Sequence, residues 1–460
     1  MQFITIIDFF LFPIYLFFLY FFIRVIARKY NGTPLRKYFI TAFFLHMAGS
    51  FLYAMVIQYY YGYGDSFGFY MGSNFIRDVI KEGVNPFKIL FMSSEELIKP
   101  HNQVMISGAE LPTGISANPN FIIMKISAVL SYICFNSYLV ITLFFGLFSF
   151  AGLWKLFNTF NNILGKKGEK LLAYTILYTP SIWFWGSGLI KDSVCLGLVG
   201  FIIYFLHKLF ILKKFSVKDL VILVIMVYFL YSLKSYIASL LIVSAALGYV
   251  ILILKKSRQN FIKFALVILI LAVSSVVIFI NMASSIESLL QESKEQIEIY
   301  KGAYAYAEVE DENSMAGFKG SDFELTVNSF ILRSPLAMFS TLFRPFLWES
   351  KKPIIFLSAL ESFLMLIGLL YVMKKTGIRS FFYLLFSEPY IFFAFIFTLL
   401  LAAVVGFTTF NFGTLVRYRL PILPFYFFML IGIYTKSRIS GLTPHAKNKP
   451  TAVDLVNEID

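Results

Sequence analysis

The chain has 460 residues, of which 58% are hydrophobic, 19% aromatic and 14% charged, with a mean hydropathy of +0.75. A soluble domain carries about 45–50% apolar and about 25% charged residues, so this composition excludes a water-soluble globule and predicts an integral membrane protein. Lys and Arg number 40 against 26 Asp and Glu, a net charge of +14; Cys134 and Cys195 both lie in apolar runs, which excludes a disulfide framework and a cysteine-rich metal site.

A helical crossing needs about 20 mostly apolar residues, because unpaired backbone groups are too costly in hydrocarbon. In chain order the first predicted spans are 8–27 and 38–59. No basic residue precedes the first apolar stretch and no small-residue cleavage site follows it, so it reads as a retained helix. A long outer segment, about 60–135, opens with aromatics, passes Pro86, Pro100, Pro112 and Pro119, and ends in an apolar stretch at 121–134 expected to lie along the interface. Spans at 136–156, 171–187, 192–211, 218–233, 235–254 and 262–281 follow with short connections.

A second long outer segment, about 282–352, carries ten acids against three lysines between 282 and 326. Its 325–343 stretch, interrupted by Arg333 and Pro335, reads as a re-entrant or interfacial helix. Spans at 353–373, 389–408 and 416–434 complete a set of about eleven. The expected fold is therefore all-α and polytopic, with residues 1–435 forming one membrane domain and 436–460 a disordered cytoplasmic tail. Short cytoplasmic loops collect Lys and Arg, and 24 of the 40 basic residues fall on one set of alternate loops, which places the N-terminus outside and the C-terminus inside. Most of the positive charge is thereby accounted for by topology, and nucleic acid is not an expected partner.

Ionisable groups at a membrane boundary are functional candidates unless they stay wet, and five outer connections bring them to one face. They are Asp65 in Tyr63-Gly64-Asp65-Ser66, Lys191-Asp192, Lys234 in a two-residue turn, Arg344 and Glu349 in Arg344-Pro345-Phe346-Leu347-Trp348-Glu349, and Arg417 and Arg419 in Arg417-Tyr418-Arg419-Leu420-Pro421. A carboxylate can take the proton of an attacking hydroxyl, while arginines and lysines bind a phosphate and neutralise it as it leaves. Tyr63, Tyr70 and Trp348 are suited to sugar faces and to the headgroup level.

Each residue also has a plainer reading. Gly-Asp-Ser is good turn chemistry, Asp192 would favour a helix N-terminus, Lys234 fits any polar turn, and Arg344 would serve as an interfacial anchor. Asp78 and Glu82 read as the wet face of a short helix. Arg417 and Arg419 diverge by about 200° on a helix and cannot share a face there, so joint phosphate binding requires an extended stretch or a helix end, which Pro421 permits. Glu361, inside a span, reads either as paired with a buried partner or as a modest intramembrane anchor. His46, His101, His207 and His445 are scattered, so no metal site is expected, and Gly165-Lys166-Lys167-Gly168 lacks the context of a nucleotide-binding loop.

A Gly-Asp-Ser segment followed by aromatics in the first long outer loop, ten or so spans, and an Arg-Tyr-Arg-x-Pro near the last helix resemble the GT-C class of membrane glycosyltransferases and the related O-antigen and exopolysaccharide polymerases. The resemblance implies a polyprenyl-phosphate or -diphosphate sugar donor, a saccharide or lipid-linked acceptor, and an inverting transfer at the outer face of a bacterial inner membrane; the residues indicate no required cofactor and leave a divalent cation open. It places the base on Asp65 and phosphate roles on Arg344, Arg417 and Arg419, with Lys191 as a further contact. In many of these enzymes the acid follows the first helix and is one of a pair, whereas here it follows the second and its neighbour is Ser66. A polymerase, a flippase without chemistry, and a membrane subunit that binds a partner through its acidic loop are the competing readings.

Overall fold

The structure is a computed structural model and describes residues 3–62, 64–101, 115, 117–256, 327–350, 352–409 and 412–439. Among the described residues every regular element is helical and none is a strand. In chain order the helices are α1 (Ile6–Ala27), α2 (Leu35–Met55), α3 (Asp65–Lys81), α4 (Pro86–Phe91), α5 (Ser94–His101), α6 (Asn118–Ile133), α7 (Tyr138–Leu164), α8 (Lys166–Leu172), α9 (Pro180–Trp185) and α10 (Lys191–Leu206). They continue with α11 (Val217–Leu233), α12 (Ser235–Lys256), α13 (Val327–Phe343), α14 (Pro353–Thr376), α15 (Ile378–Ser387), α16 (Pro389–Thr408), α17 (Phe412–Tyr418) and α18 (Ile422–Ile439).

Seven of these, α1, α2, α7, α10, α12, α14 and α16, are long and apolar enough to cross a membrane, and the pair α17 and α18, bent by 61°, makes an eighth if it is one span. This is the make-up of a multi-pass membrane protein. The stretch 171–187, expected as one crossing, is broken. A π-helical turn at Ala173–Leu177 follows α8, Thr179 is extended (ψ 125°), and Pro180 opens α9. Proline disfavours the helical conformation in the residue before it, which accounts for the break. The stretch at 218–233 is α11, whose 17 residues span about 26 Å against a hydrocarbon core of about 30 Å. The expected span 262–281, the acidic stretch 282–326 and the tail beyond 439 lie outside the described residues.

The chain packs as two compact units, Met1–Thr159 with Ala173–Ser235, and Phe160–Leu172 with Tyr236–Asp460. In the first unit, α1 fully buries only Asp8, Ile23 and Ala27, packs Phe12 on Phe51 and Tyr20 on Phe44, and leaves most of its other apolar side chains exposed, as a lipid-facing helix does. The contact of α7 with α10 is backbone on backbone. A Cβ on Gly152 would lie 2.0 Å from the Gly197 carbonyl oxygen, and one on Gly200 would lie 2.1 Å from that of Gly152. Only glycine allows this approach.

The first unit has two chemically different ends. Tyr138 at the start of α7 bonds Ser66, Gly188 just before α10 lies against Tyr53 late in α2, and Asp192 and Asp8 sit at the starts of α10 and α1. Toward the other end of the same helices, Trp154 bonds Tyr30 and Lys155 lies over Tyr204.

In the second unit α16 is central, flanked by α13 and α18. The helix α13, expected to be interfacial, lies along α16, with the Thr341 hydroxyl donating to the Ala402 carbonyl at 2.8 Å. Phe160 stacks on Phe428 at 4.0 Å and Phe397 meets Phe425 at 4.5 Å. Glu388, the residue before α16, ties this helix to the ends of α12 and α18 by accepting from Lys255 (2.8 Å) and Lys436 (3.0 Å). Burial pushes the Glu388 carboxyl up, but the hydrogen bonds and charges of the two lysines outweigh it and hold the carboxyl below its ordinary value.

Candidate functional site

The second unit gathers Arg344, Glu349, Glu361 and Arg419 into one network at the end of the unit opposite Glu388. The turn after α13 carries Arg344, whose Nε lies 3.0 and 3.1 Å from the two carboxylate oxygens of Glu349 and whose Nη2 also donates to Glu349. Glu349 is itself fixed, because the main-chain N–H of Phe346 donates to it at 2.8 Å. This is a two-pronged guanidinium–carboxylate pair, the strongest common ion-pair geometry. Both side chains keep about a fifth to a quarter of their surface (24% and 20%), so the pair remains within reach of a ligand.

Arg419, in the bend between α17 and α18, is fully buried. Its Nη1 donates to the Arg344 carbonyl at 3.1 Å and to Ser362 Oγ at 2.7 Å, and its Nη2 lies 3.4 Å from Glu361. It therefore grips the main chain of the Arg344 turn from inside, where the sequence reading had it contact phosphate directly. Arg417, in the last turn of α17, is only half-buried, and its guanidinium lies over the Tyr418 ring at 5.2 Å. The predicted divergence of the two arginines is what separates an inner from an outer role. Within the network two arginines, Arg344 and Arg419, stand against two glutamates, Glu349 and Glu361. Trp348, 80% exposed, stacks on Phe346 at 4.8 Å and presents its other face.

In the first unit Asp65 is the first residue of α3 and is exposed. The turn before it depends on Gly64, whose φ of +148° and ψ of 167° are open only to glycine. The turn is anchored by Ser66, buried and bonded to the Tyr138 hydroxyl at 2.7 Å, and by buried Phe67 and Phe69. Tyr70 is buried, donating to the Asn136 carbonyl at 2.7 Å, and so packs the junction of α3 and α7. Burial raises its hydroxyl above the usual 10.0. Tyr63 lies outside the described residues.

Asp192 and Lys234 are drawn together, but to each other. Their side chains pair at 2.5 Å with only 3% and 7% of their surface exposed. Lys234 is the break between α11 and α12, with extended backbone (φ −148°), so the ion pair pins this break to the start of α10. Lys191, beside Asp192, is half-buried. A buried ion pair of this kind holds helices in register, and it takes both groups out of the set that grips phosphate from the surface.

Two residues were not singled out as site residues in the sequence. Asp8 is 2% exposed, yet accepts from Thr5 N (2.8 Å), Thr5 Oγ1 (2.7 Å), Leu139 N (3.2 Å) and Ser137 Oγ, joining α1 to the start of α7. Its signal was a Thr three residues before an acid at a helix start, the pattern of a capping box. Ser362, which receives Arg419, carries no such signal. Among the described residues no three His, Cys, Asp or Glu side chains form a group able to hold a metal ion. No known protein family, curated protein or solved structure matches the chain.

Proposed function

We propose that the protein is a membrane glycosyltransferase that moves a sugar from a polyprenyl-phosphate or -diphosphate carrier to an acceptor hydroxyl in cell-surface glycan assembly. The observation that carries this reading is the Arg344 network, a partly exposed guanidinium held in fixed geometry by Glu349 and Arg419, with an exposed tryptophan beside it. Such an arrangement suits a phosphate whose charge grows as the bond to the sugar breaks. Arg344 and Arg417 bind the phosphate, Arg419 is a positioning residue, and Trp348 offers a face to the sugar or the lipid headgroup.

In the reaction the acceptor oxygen bonds to the anomeric carbon, the bond from that carbon to the phosphate oxygen breaks with its electron pair going to the phosphate, and the acceptor proton passes to a carboxylate. Asp65 keeps the base role that the resemblance gives it, supported by its exposure and its fixed turn. The full set of about eleven spans, the outward N-terminus and the inner bacterial membrane belong to the same proposal.

Binding of polyprenyl phosphate to the purified protein tests the phosphate site. Arg344→Ala should weaken it by roughly 10- to 100-fold, as expected for loss of a charge-assisted bidentate contact. Equal binding by the wild type and the variant would remove Arg344 from the phosphate site. Product length then separates the two glycan readings, a ladder marking a polymerase and a single addition a transferase.

A further inference from the structure

The helices α6, α7, α10 and α11 of the first unit line a partly open cavity of about 580 Å³ with almost no polar lining. Its long walls are Phe144, Phe148 and Ala151 on α7 and Val194 and Leu198 on α10, with Met226 of α11 across from them. On α7 the spacing 144, 148, 151 continues at 155, and on α10 the spacing 194, 198, 201 continues to 208, so each wall is one helical face that ends in a lysine. The two faces touch between Phe148 and Phe201, whose rings are 5.7 Å apart.

The lysines lie at the end of the unit away from Asp65 and Asp192. Lys155 Nζ sits 4.3 Å above the Tyr204 ring, half-buried, with no acidic partner among the described residues. Lys29, just past α1, and Lys208, just past α10, both repel it. Asp219 pairs with Lys208 at 2.5 Å, so three lysines and one aspartate leave two positive charges at the foot of the cavity. From Phe144 to Lys155 is about 16 Å along the helix, close to the ~15 Å depth of one leaflet.

We propose that this cavity and the lysines beyond it form a binding site for an anionic glycerophospholipid of the leaflet at that end, with one acyl chain in the cavity bounded by α6, α7, α10 and α11 and the phosphate at Lys155, Lys208 and Lys29. The two halves fit one molecule. An apolar cavity running about 10 Å along α7, from Phe144 to Ala151, suits part of an acyl chain, and the net positive charge of the lysines one turn and more beyond it suits a phosphodiester with a negative headgroup. The site lies at the opposite end of the unit from Asp65 and shares no residue with the donor phosphate site proposed above.

The test is lipid retention by the full-length protein in detergent, read by native mass spectrometry and by the melting temperature during titration with phosphatidylglycerol, phosphatidylcholine or inorganic phosphate. Wild type should retain and be stabilised by phosphatidylglycerol only. Lys155→Gln should weaken retention about fivefold, and Lys155→Gln with Lys208→Gln further. Ala151→Phe fills the slot and should abolish retention while all three lysines remain; Met226→Trp replaces it should Ala151→Phe not fold. Equal retention of phosphatidylcholine, stabilisation by inorganic phosphate alone, or undiminished retention in the slot-filled variant would each overturn the proposal.

Discussion

Arg419 donates from its buried guanidinium to the main-chain carbonyl of Arg344, 3.1 Å away and 75 residues earlier in the chain. One arginine thus fixes the backbone from which another projects. The buried one has Ser362 and Glu361 as further partners, and its Nε has none among the described residues. Burying a guanidinium with incomplete satisfaction is costly, and its placement directly behind Arg344 gives that cost a purpose.

Replacing Arg419 by Ala should therefore destabilise the protein by about 3 kcal/mol, because Glu361 loses its cation and the Arg344 turn loses its inner hold. Thermal unfolding in detergent measures this. Arg419→Lys keeps the charge but not the fork, and should fold while losing transfer activity mainly in kcat, with little change in binding of the lipid phosphate. A variant that unfolds normally and transfers normally would show that the clasp has no bearing on Arg344.

The Asp192–Lys234 pair makes a separable prediction. Asp192→Asn or Lys234→Met alone should cost about 3 kcal/mol, since each leaves a buried charge alone, whereas the double variant should recover a large part of the loss. Strictly additive losses in the double-mutant cycle would mean that the two side chains act independently.

Gly64 sets the direction of Asp65. A methyl group at Gly64 would meet only Ile57, at 3.8 Å, so neighbours do not forbid it; the backbone at φ +148° does. Gly64→Ala should lower stability by about 1–3 kcal/mol and reduce transfer more than binding of the lipid phosphate. Equal loss in both measurements would place the defect outside the Asp65 turn.

At the other end of the second unit, stability should depend on acid through Glu388. Its folded carboxyl lies below the ordinary 4.5, so its pairing with Lys255 and Lys436 contributes fully above that value and is lost as pH falls through the folded value. Unfolding temperature followed from pH 6 downward should drop more for wild type than for Glu388→Gln, pH 6 being about two units above the ordinary value. Parallel curves would assign the acid sensitivity to other carboxylates.

The spans were legible because hydropathy and length are local properties, and seven expected crossings coincide with α1, α2, α7, α10, α12, α14 and α16. The break at Thr179-Pro180 was also written in the sequence, as was the bend before Ile422, preceded by Pro421; apolar run length conceals a proline that backbone chemistry makes decisive. Partnership was not legible. Asp192 and Lys234 are 42 residues apart and Arg419 and Ser362 are 57 apart, and no periodicity links residues across separate helices. The sequence therefore located the charged groups at the helix ends but read Asp192, Lys234 and Arg419 as ligand contacts, when packing turns them toward other side chains.

The most direct measurement of the central claim is sugar transfer by the purified full-length protein in proteoliposomes, supplied with a panel of labelled polyprenyl-phosphate and -diphosphate sugars and saccharide or lipid-linked acceptors. Wild type should form a covalent glycosylated product, and Arg344→Ala and Asp65→Asn, each shown to be folded by its melting temperature, should lose at least about 100-fold in rate. Full activity in either folded variant, or movement of the lipid-linked sugar across the bilayer with no covalent product, would contradict the account.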